Sequence, residues 1–400
     1  MEEEILIESS MEEDEDDGIA SEVDFSDAVV WGTDWTTETI ARQIAKGNID
    51  LNPSFQRRDA WTNKEKSKLI ESLMLGIPVP PIVLAEDPQK RNHYIVIDGK
   101  QRLLSIMQFY ADSEAIKKDL EERQYNKLSL TGLEILGALN KKTYSTVPAQ
   151  YISNIDNGTI RTIAIKNWPD ENFLYTVFLR LNTGSKKLSP QELRQALKPG
   201  DFLNYLDAAS AESVQLRKML NNDKPDKRMR DVELALRYFS FKYYMLDYKG
   251  NLREFLDSTC EKMNQTWQDN ETLYKESFSE LEAAIDFVFT LFDKHPFGRY
   301  ANGMSTRSFN RCIFELFTFY FSRKDIRDCV KKHKEHFVKG FIELNDKPEF
   351  SQALEAYPKM TDKVVSRFNQ FAEFLISIDV DNELGKIQKY KCVGTGIEVE

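Results

Sequence analysis

Histidine and cysteine are both scarce, with four of each in 400 residues. Cys260, Cys312, Cys329 and Cys392 lie far apart and form no C-x-x-C pair. That spacing excludes a zinc ribbon and a disulfide framework and leaves inert thiols in a reducing compartment. His295 precedes a proline. His333 and His336 sit three apart on an expected helix, a spacing that can bind metal, yet Lys331, Lys332, Lys334 and Glu335 around them describe a solvated charged face. There is no G-x-x-x-x-G-K-[ST] loop and no G-x-G-x-x-G after a strand, so P-loop and Rossmann phosphate sites are excluded. No apolar run reaches the roughly 18–20 residues of a membrane span, and the acidic start lacks the basic residues of a signal peptide. The expectation is a cytoplasmic protein with no membrane contact.

Basic residues are missing altogether before Arg42, where 15 Asp and Glu occur, 13 of them in residues 1–27. Taking those 15 from the total of 65 leaves 50 carboxylates against 54 Lys and Arg, so the net charge of −11 hides a body at +4. A block of like charges repels itself and buries nothing, and residues 1–27 are expected to be a disordered acidic tail. Its plain role is solubility. A sharper one is to compete as a polyanion for a basic groove that includes Arg323, Lys324, Arg327, Lys331, Lys332 and Lys334.

Hydrophobic residues make up 41% of the chain, enough for a core in each of the two domains that this length suggests. Ile40 and Ile44 mark a short helix that Gly47 can end. Thr62 and Glu65 fit a capping box ahead of the Leu69, Ile70, Leu73 stripe, with Gly76 at its C-terminal cap. Ile82-Val83-Leu84 and the β-branched run Tyr94-Ile95-Val96-Ile97 read as strands. Leu103, Leu104, Ile106 and Met107 then return to helical spacing. Residues 116–142 are expected to be helical insertions, 162–165 a strand and 173–181 a helix. Ser189, Pro190 and Glu192 open another helix. From about 200 to 380 helical periodicity dominates and no strand-like alternation is evident, which predicts an all-helical bundle.

Candidate chemistry concentrates in Asp98-Gly99-Lys100-Gln101-Arg102, where a strand turns into a helix. The first N–H groups of a helix lack partners and lie at the positive end of its dipole, so such a junction suits phosphate. Gly99 lets the backbone approach closely, while Lys100 and Arg102 add cationic donors. Asp98 would hold Mg²⁺, orient a water, or cap the helix. The plainer alternative for the pentapeptide is a capped helix with a surface salt bridge.

The pentapeptide keeps specific company. Asn52-Pro53-Ser54-Phe55-Gln56-Arg57-Arg58-Asp59-Ala60-Trp61, the Gly76 to Pro81 run, Ile97 to Leu103, Phe178-Leu179-Arg180-Leu181-Asn182-Thr183-Gly184, and Arg228 to Arg237 follow in order. Together they resemble the N-terminal domain of GmrSD-type modification-dependent restriction systems, marked by a D-G-Q-Q-R signature. The resemblance covers about residues 36–240 and departs at Lys100, where the signature has glutamine. It implies an α+β, ParB/sulfiredoxin-like domain that binds and hydrolyses nucleoside triphosphate in defence against foreign DNA. Transferred by motif, Gln56 and Arg57 would face ribose, base or γ-phosphate; Gly99, Lys100, Gln101 and Arg102 would hold phosphates; and Asn182 would complete the pocket. Asp98, Arg102 and Arg57 would be the catalytic set, with Asp98 on the metal. Nothing reconstructs a His-Asn-His nuclease, which would then come from a separate subunit.

The expected layout is a tail at 1–27, a nucleotide-binding domain at 28–199, an all-helical domain at 200–384 that contacts DNA or a partner protein, and a loosely ordered end at 385–400. Two rivals to an NTP-hydrolysing subunit stay open. One is a ParB-like module switched by nucleotide without turnover, and the other a metal-dependent nuclease at the same site.

Overall fold

The computed structural model describes residues 28–51, 61–119, 125–181, 189–292, 294–379 and 384–400. The chain divides into two compact units between Leu197 and Lys198. Among the described residues no helix is long and apolar enough to cross a membrane.

The first unit is built on a four-stranded mixed sheet. β1 (Val29–Thr36) pairs antiparallel with β4 (Thr159–Lys166), β4 runs parallel to β2 (Ile82–Glu86), and β2 pairs antiparallel with β3 (Tyr94–Asp98). Successive strand residues point to opposite faces, and two cores follow from that alternation. Ile82, Leu84, Tyr94, Val96, Ile160 and Ala164 join one core with Ile40, Ile44, Ile70, Leu103 and Met107. These last come from α1 (Thr37–Ala45), α2 (Asn63–Met74) and α3 (Lys100–Tyr110). Val83, Ala85, Ile97 and Ile165 join the other core with Phe173, Leu174, Phe178 and Leu193.

Local signals explain most boundaries. Thr62 and Glu65 form the expected capping box on α2, and Gly47 and Gly76 take positive φ at the ends of α1 and α2. β1 was not anticipated because its first four residues are exposed on both faces, so no apolar alternation marks it. The helical reading of 116–142 is corrected. Its described part holds only the end of a four-residue helix, α4 (Glu114–Lys117), and one 3-10 turn. Leu128, Leu130, Leu133 and Leu139 instead plug one by one into the core, without the shared stripe a helix needs. The Glu71 carboxylate accepts the N–H groups of Glu134, Ile135 and Leu136 at 3.1, 2.9 and 2.6 Å. Burial pushes that carboxyl up, but the three backbone donors outweigh it and hold it below the usual range. The unit continues through α5 (Ala149–Asn157), α6 (Glu171–Leu181) and α7 (Pro190–Leu197).

The second unit is mainly helical. It runs through α8 (Asp201–Glu212), α9 (Val214–Met219), α10 (Arg230–Tyr244), α11 (Leu252–Gln265), α12 (Trp267–Leu291), α13 (Arg311–Phe321), α14 (Lys324–Lys332), α15 (Lys334–Asn345), α16 (Pro348–Glu355) and α17 (Thr361–Ile378). One continuous core rich in phenylalanine joins them. Two differences from the sequence reading are strands. Gly298–Ala301 (β5) and Met304–Phe309 (β6) form a hairpin inside the stretch expected to be all helix. The end of the chain, expected to be loosely ordered from Gly385, forms the hairpin Tyr390–Val393 (β7) and Gly396–Val399 (β8). Ile387, Tyr390 and Ile397 reach the core, and Asn369 both donates to the Tyr390 carbonyl and accepts its N–H, at 2.7 and 2.9 Å. Four-residue strands with a single buried side chain each are too short for alternation to announce them.

Candidate phosphate site at a strand-to-helix junction

β3 ends in a bulge. Val83 pairs with Asp98 while the next residue, Leu84, pairs with Val96, so Ile97 is the extra residue and Asp98 is re-aimed at the sheet's end. Gly99 follows at φ 98°, a left-handed conformation. A Cβ there would stand 3.1 Å from Ile82 Cγ1 and 3.2 Å from Arg102 Nη2, so glycine is needed for both backbone and space. Lys100 begins α3. No side chain caps that helix, and its first turn holds no acidic residue. Its leading amides therefore have no side-chain cap, and the nearest acid along the chain, Asp98, is engaged by Arg102.

Each expected residue has a definite place. Arg102 Nη2 donates to Asp98 Oδ2 at 2.8 Å and to the Pro81 carbonyl at 2.9 Å, while its Nε is buried with no hydrogen-bond partner. Gln101 Oε1 accepts the Trp61 N–H at 3.3 Å. Lys100, expected to add charge at the phosphates, turns inward instead. It is 3% exposed, and its ammonium lies 2.6 Å from Glu192 Oε1. Gln56, Arg57 and Asn182 lie outside the described residues.

The Glu192 partner was legible only as half of a capping box, and it is that as well. Ser189 N–H donates to Glu192 Oε2 at 2.8 Å, and Glu192 N–H to Ser189 Oγ at 3.1 Å. One carboxylate thus caps α7 and anchors the start of α3. Around it α7 buries an unusual set: Gln191, Arg194 and Gln195 are all at most 1% exposed. Arg194 Nη1 donates to Gln191 Oε1 at 2.6 Å. The sequence did carry a signal here, since four of eight residues in α7 are polar or charged and long, yet such a face usually reads as solvated.

The basic run of the helical unit is interleaved with acids. Arg323 pairs with Asp325, Lys324 pairs with Asp328 at 2.9 Å, and Arg327 donates to the carbonyls of Phe321 and Ser322. Among the described residues no group of three or more His, Cys, Asp or Glu is placed to hold a metal ion.

A mixed sheet whose bulged strand feeds a helix without a side-chain cap defines the class: an α+β domain with a glycine-opened strand-to-helix junction. Residues 38–197 match the family model described as GmrSD restriction endonuclease, N-terminal domain. This region is thus similar to that N-terminal domain, and the match associates the protein with restriction systems. No curated protein and no solved structure matches the chain.

Proposed function

We infer that the protein is the nucleoside-triphosphate-binding, and hydrolysing, subunit of a DNA-targeting restriction system, with a ParB/sulfiredoxin-like first domain. The carrying observation is the junction itself, an uncapped eleven-residue helix opened by a left-handed glycine and lined by an arginine with an unused donor. The first amides of α3 would receive phosphate oxygens, and Arg102 would offset the charge that builds on them. Mg²⁺ keeps most of its waters and needs only one or two protein carboxylates beside phosphates, so Asp98 suffices as its protein ligand. The metal would supply charge neutralisation at the phosphates. Lys100 would act indirectly, by fixing the start of α3 against Glu192. DNA would be met by the helical unit, and cleavage would belong to a separate nuclease subunit.

One observation favours the module that switches without turnover. Arg102 is already paired with Asp98, so a phosphate that recruits the guanidinium would release the carboxylate. Phosphate release from each NTP with Mg²⁺ separates the two readings. Arg102→Ala should weaken triphosphate binding on the order of tenfold or more, because charge-assisted bonds contribute about 1.5–3 kcal/mol. Equal affinity by calorimetry sinks the site. Asp98→Asn should bind yet lose turnover, and normal hydrolysis by that variant would reduce Asp98 to a partner for Arg102.

A further inference from the structure

On the buried polar face of α7, Gln195 has neither its amide oxygen nor its amide nitrogen hydrogen-bonded, and the Gln191 amide nitrogen is likewise unpaired, although both side chains are at most 1% exposed. Buried amides are almost always partnered, so a neutral donor and acceptor that are buried with no partner in the protein are a feature that a ligand can complete.

Its position ties it to the junction. At 100° per residue, Gln195 lies between Gln191 and Glu192 around the axis of α7, whereas Leu193 points to the opposite side and into the core. Helical side chains lean toward the N-terminus, so Gln195 lies back over the turn that carries Glu192, the residue bound to Lys100 at the head of α3. The start of α7 is not itself an anion site, because Ser189 and Glu192 cap each other there and Glu192 is negative. The start of α7 thus offers no second anion position, and the uncharged Gln195 amide lies about one helical turn, roughly 5 Å along α7, from the carboxylate that holds Lys100.

We propose that Gln195, supported by Gln191, reads the base edge of the nucleoside triphosphate whose phosphates sit at the Gly99 junction. The inference rests on the nucleotide reading above and adds to it the specificity-determining residue. An amide that offers one donor and one acceptor side by side matches a purine edge, as glutamine does for adenine in nucleic acids. Gln191 is the supporting residue because its oxygen is already engaged by Arg194, which leaves only the nitrogen to a ligand.

The test is calorimetric titration of the full chain, with Mg²⁺, by ATP, GTP, CTP, UTP and inorganic tripolyphosphate. Wild type should bind one nucleotide at least about tenfold more tightly than tripolyphosphate. Gln195→Met should lose that margin while tripolyphosphate affinity stays within about twofold, and its melting temperature should be no lower than wild type. Gln195→Ala carries the same expectation should methionine disturb the packing. Retained base preference in both variants overturns the assignment, as does a loss of folding in both, which would make the amide structural. Wild type that binds all five probes equally removes the base reading and leaves the phosphate site standing. Wild type that binds none removes both.

Discussion

In the helical unit, Glu315 lies between two guanidinium groups, 3.0 Å from Arg237 and 2.7 Å from Arg367, and Arg237 also meets Glu233 at 2.8 Å. None of these side chains is more than 5% exposed. In the sheet unit, α7 buries Gln191, Glu192, Arg194 and Gln195 just as deeply, but only part of that set is matched within the protein. The first cluster balances every charge with an opposite one and ties α10, α13 and α17 together. The second pairs Glu192 with Lys100 and lets Arg194 donate to the Gln191 amide oxygen, and it leaves the Gln195 amide and the Gln191 nitrogen open. Buried charges must be compensated in the folded chain itself, whereas an unpaired amide carries a penalty small enough, about 1–3 kcal/mol, to be held for a ligand. The helical cluster, although Arg367 Nε makes no hydrogen bond, has its charges matched within the chain, and the α7 cluster with its open amides is the one proposed above as a site.

The strongest way to break this comparison is Glu315→Ala, which leaves the buried Arg367 without its carboxylate and Arg237 with Glu233 alone. It should lower stability by about 3–5 kcal/mol in denaturant titrations. A loss under 1 kcal/mol would show that the helical cluster is hydrated and no different in kind from α7.

Asp112 tests whether a closed polar cluster in the sheet unit behaves as the helical one does. The Lys127 ammonium, then the hydroxyls of Ser145 and Thr143, hold its carboxyl well below the usual range. The folded state thus favours the charged form. The stabilisation is complete above the unfolded value of about 3.9 and is lost as pH falls through the lower folded value. Asp112→Asn should destabilise by about 1.5–3 kcal/mol at pH 7, and the gap from wild type should narrow steadily below about pH 4. A gap that does not change with pH would mean that the carboxylate's charge is irrelevant.

Lys100→Gln, which restores the signature residue, leaves the buried Glu192 without its cation and should cost about 3 kcal/mol, at the low end for a broken buried pair because Glu192 keeps its bond from the Ser189 N–H and an amide can still donate to it. Thermal melts with and without ATP would measure it. Unchanged nucleotide stabilisation agrees with an inward, positioning lysine, whereas loss of that stabilisation with little change in the free protein would put Lys100 on the phosphates.

Much of the sheet unit was legible in advance. The Thr62–Glu65 and Ser189–Glu192 boxes, the strand at Tyr94, the turn at Gly99 and the helix after it depend on neighbours three or four residues away, which a sequence displays directly. β1 and the hairpins β5–β6 and β7–β8 were not legible. Their pairing partners are distant or their strands too short, and the first half of β1 is exposed on both faces.

The sequence by itself determined that a glycine turn with Asp98 and Arg102 stands between a strand and a helix, and local backbone preference was sufficient for that. Only the tertiary structure decided where the charges go. Lys100 meets Glu192, which is 92 residues away, and Gln195 is buried with no hydrogen-bond partner in the protein. Burial and ion pairing are properties of packed surfaces, so the same lysine that reads as a phosphate ligand in one dimension becomes an anchor in three.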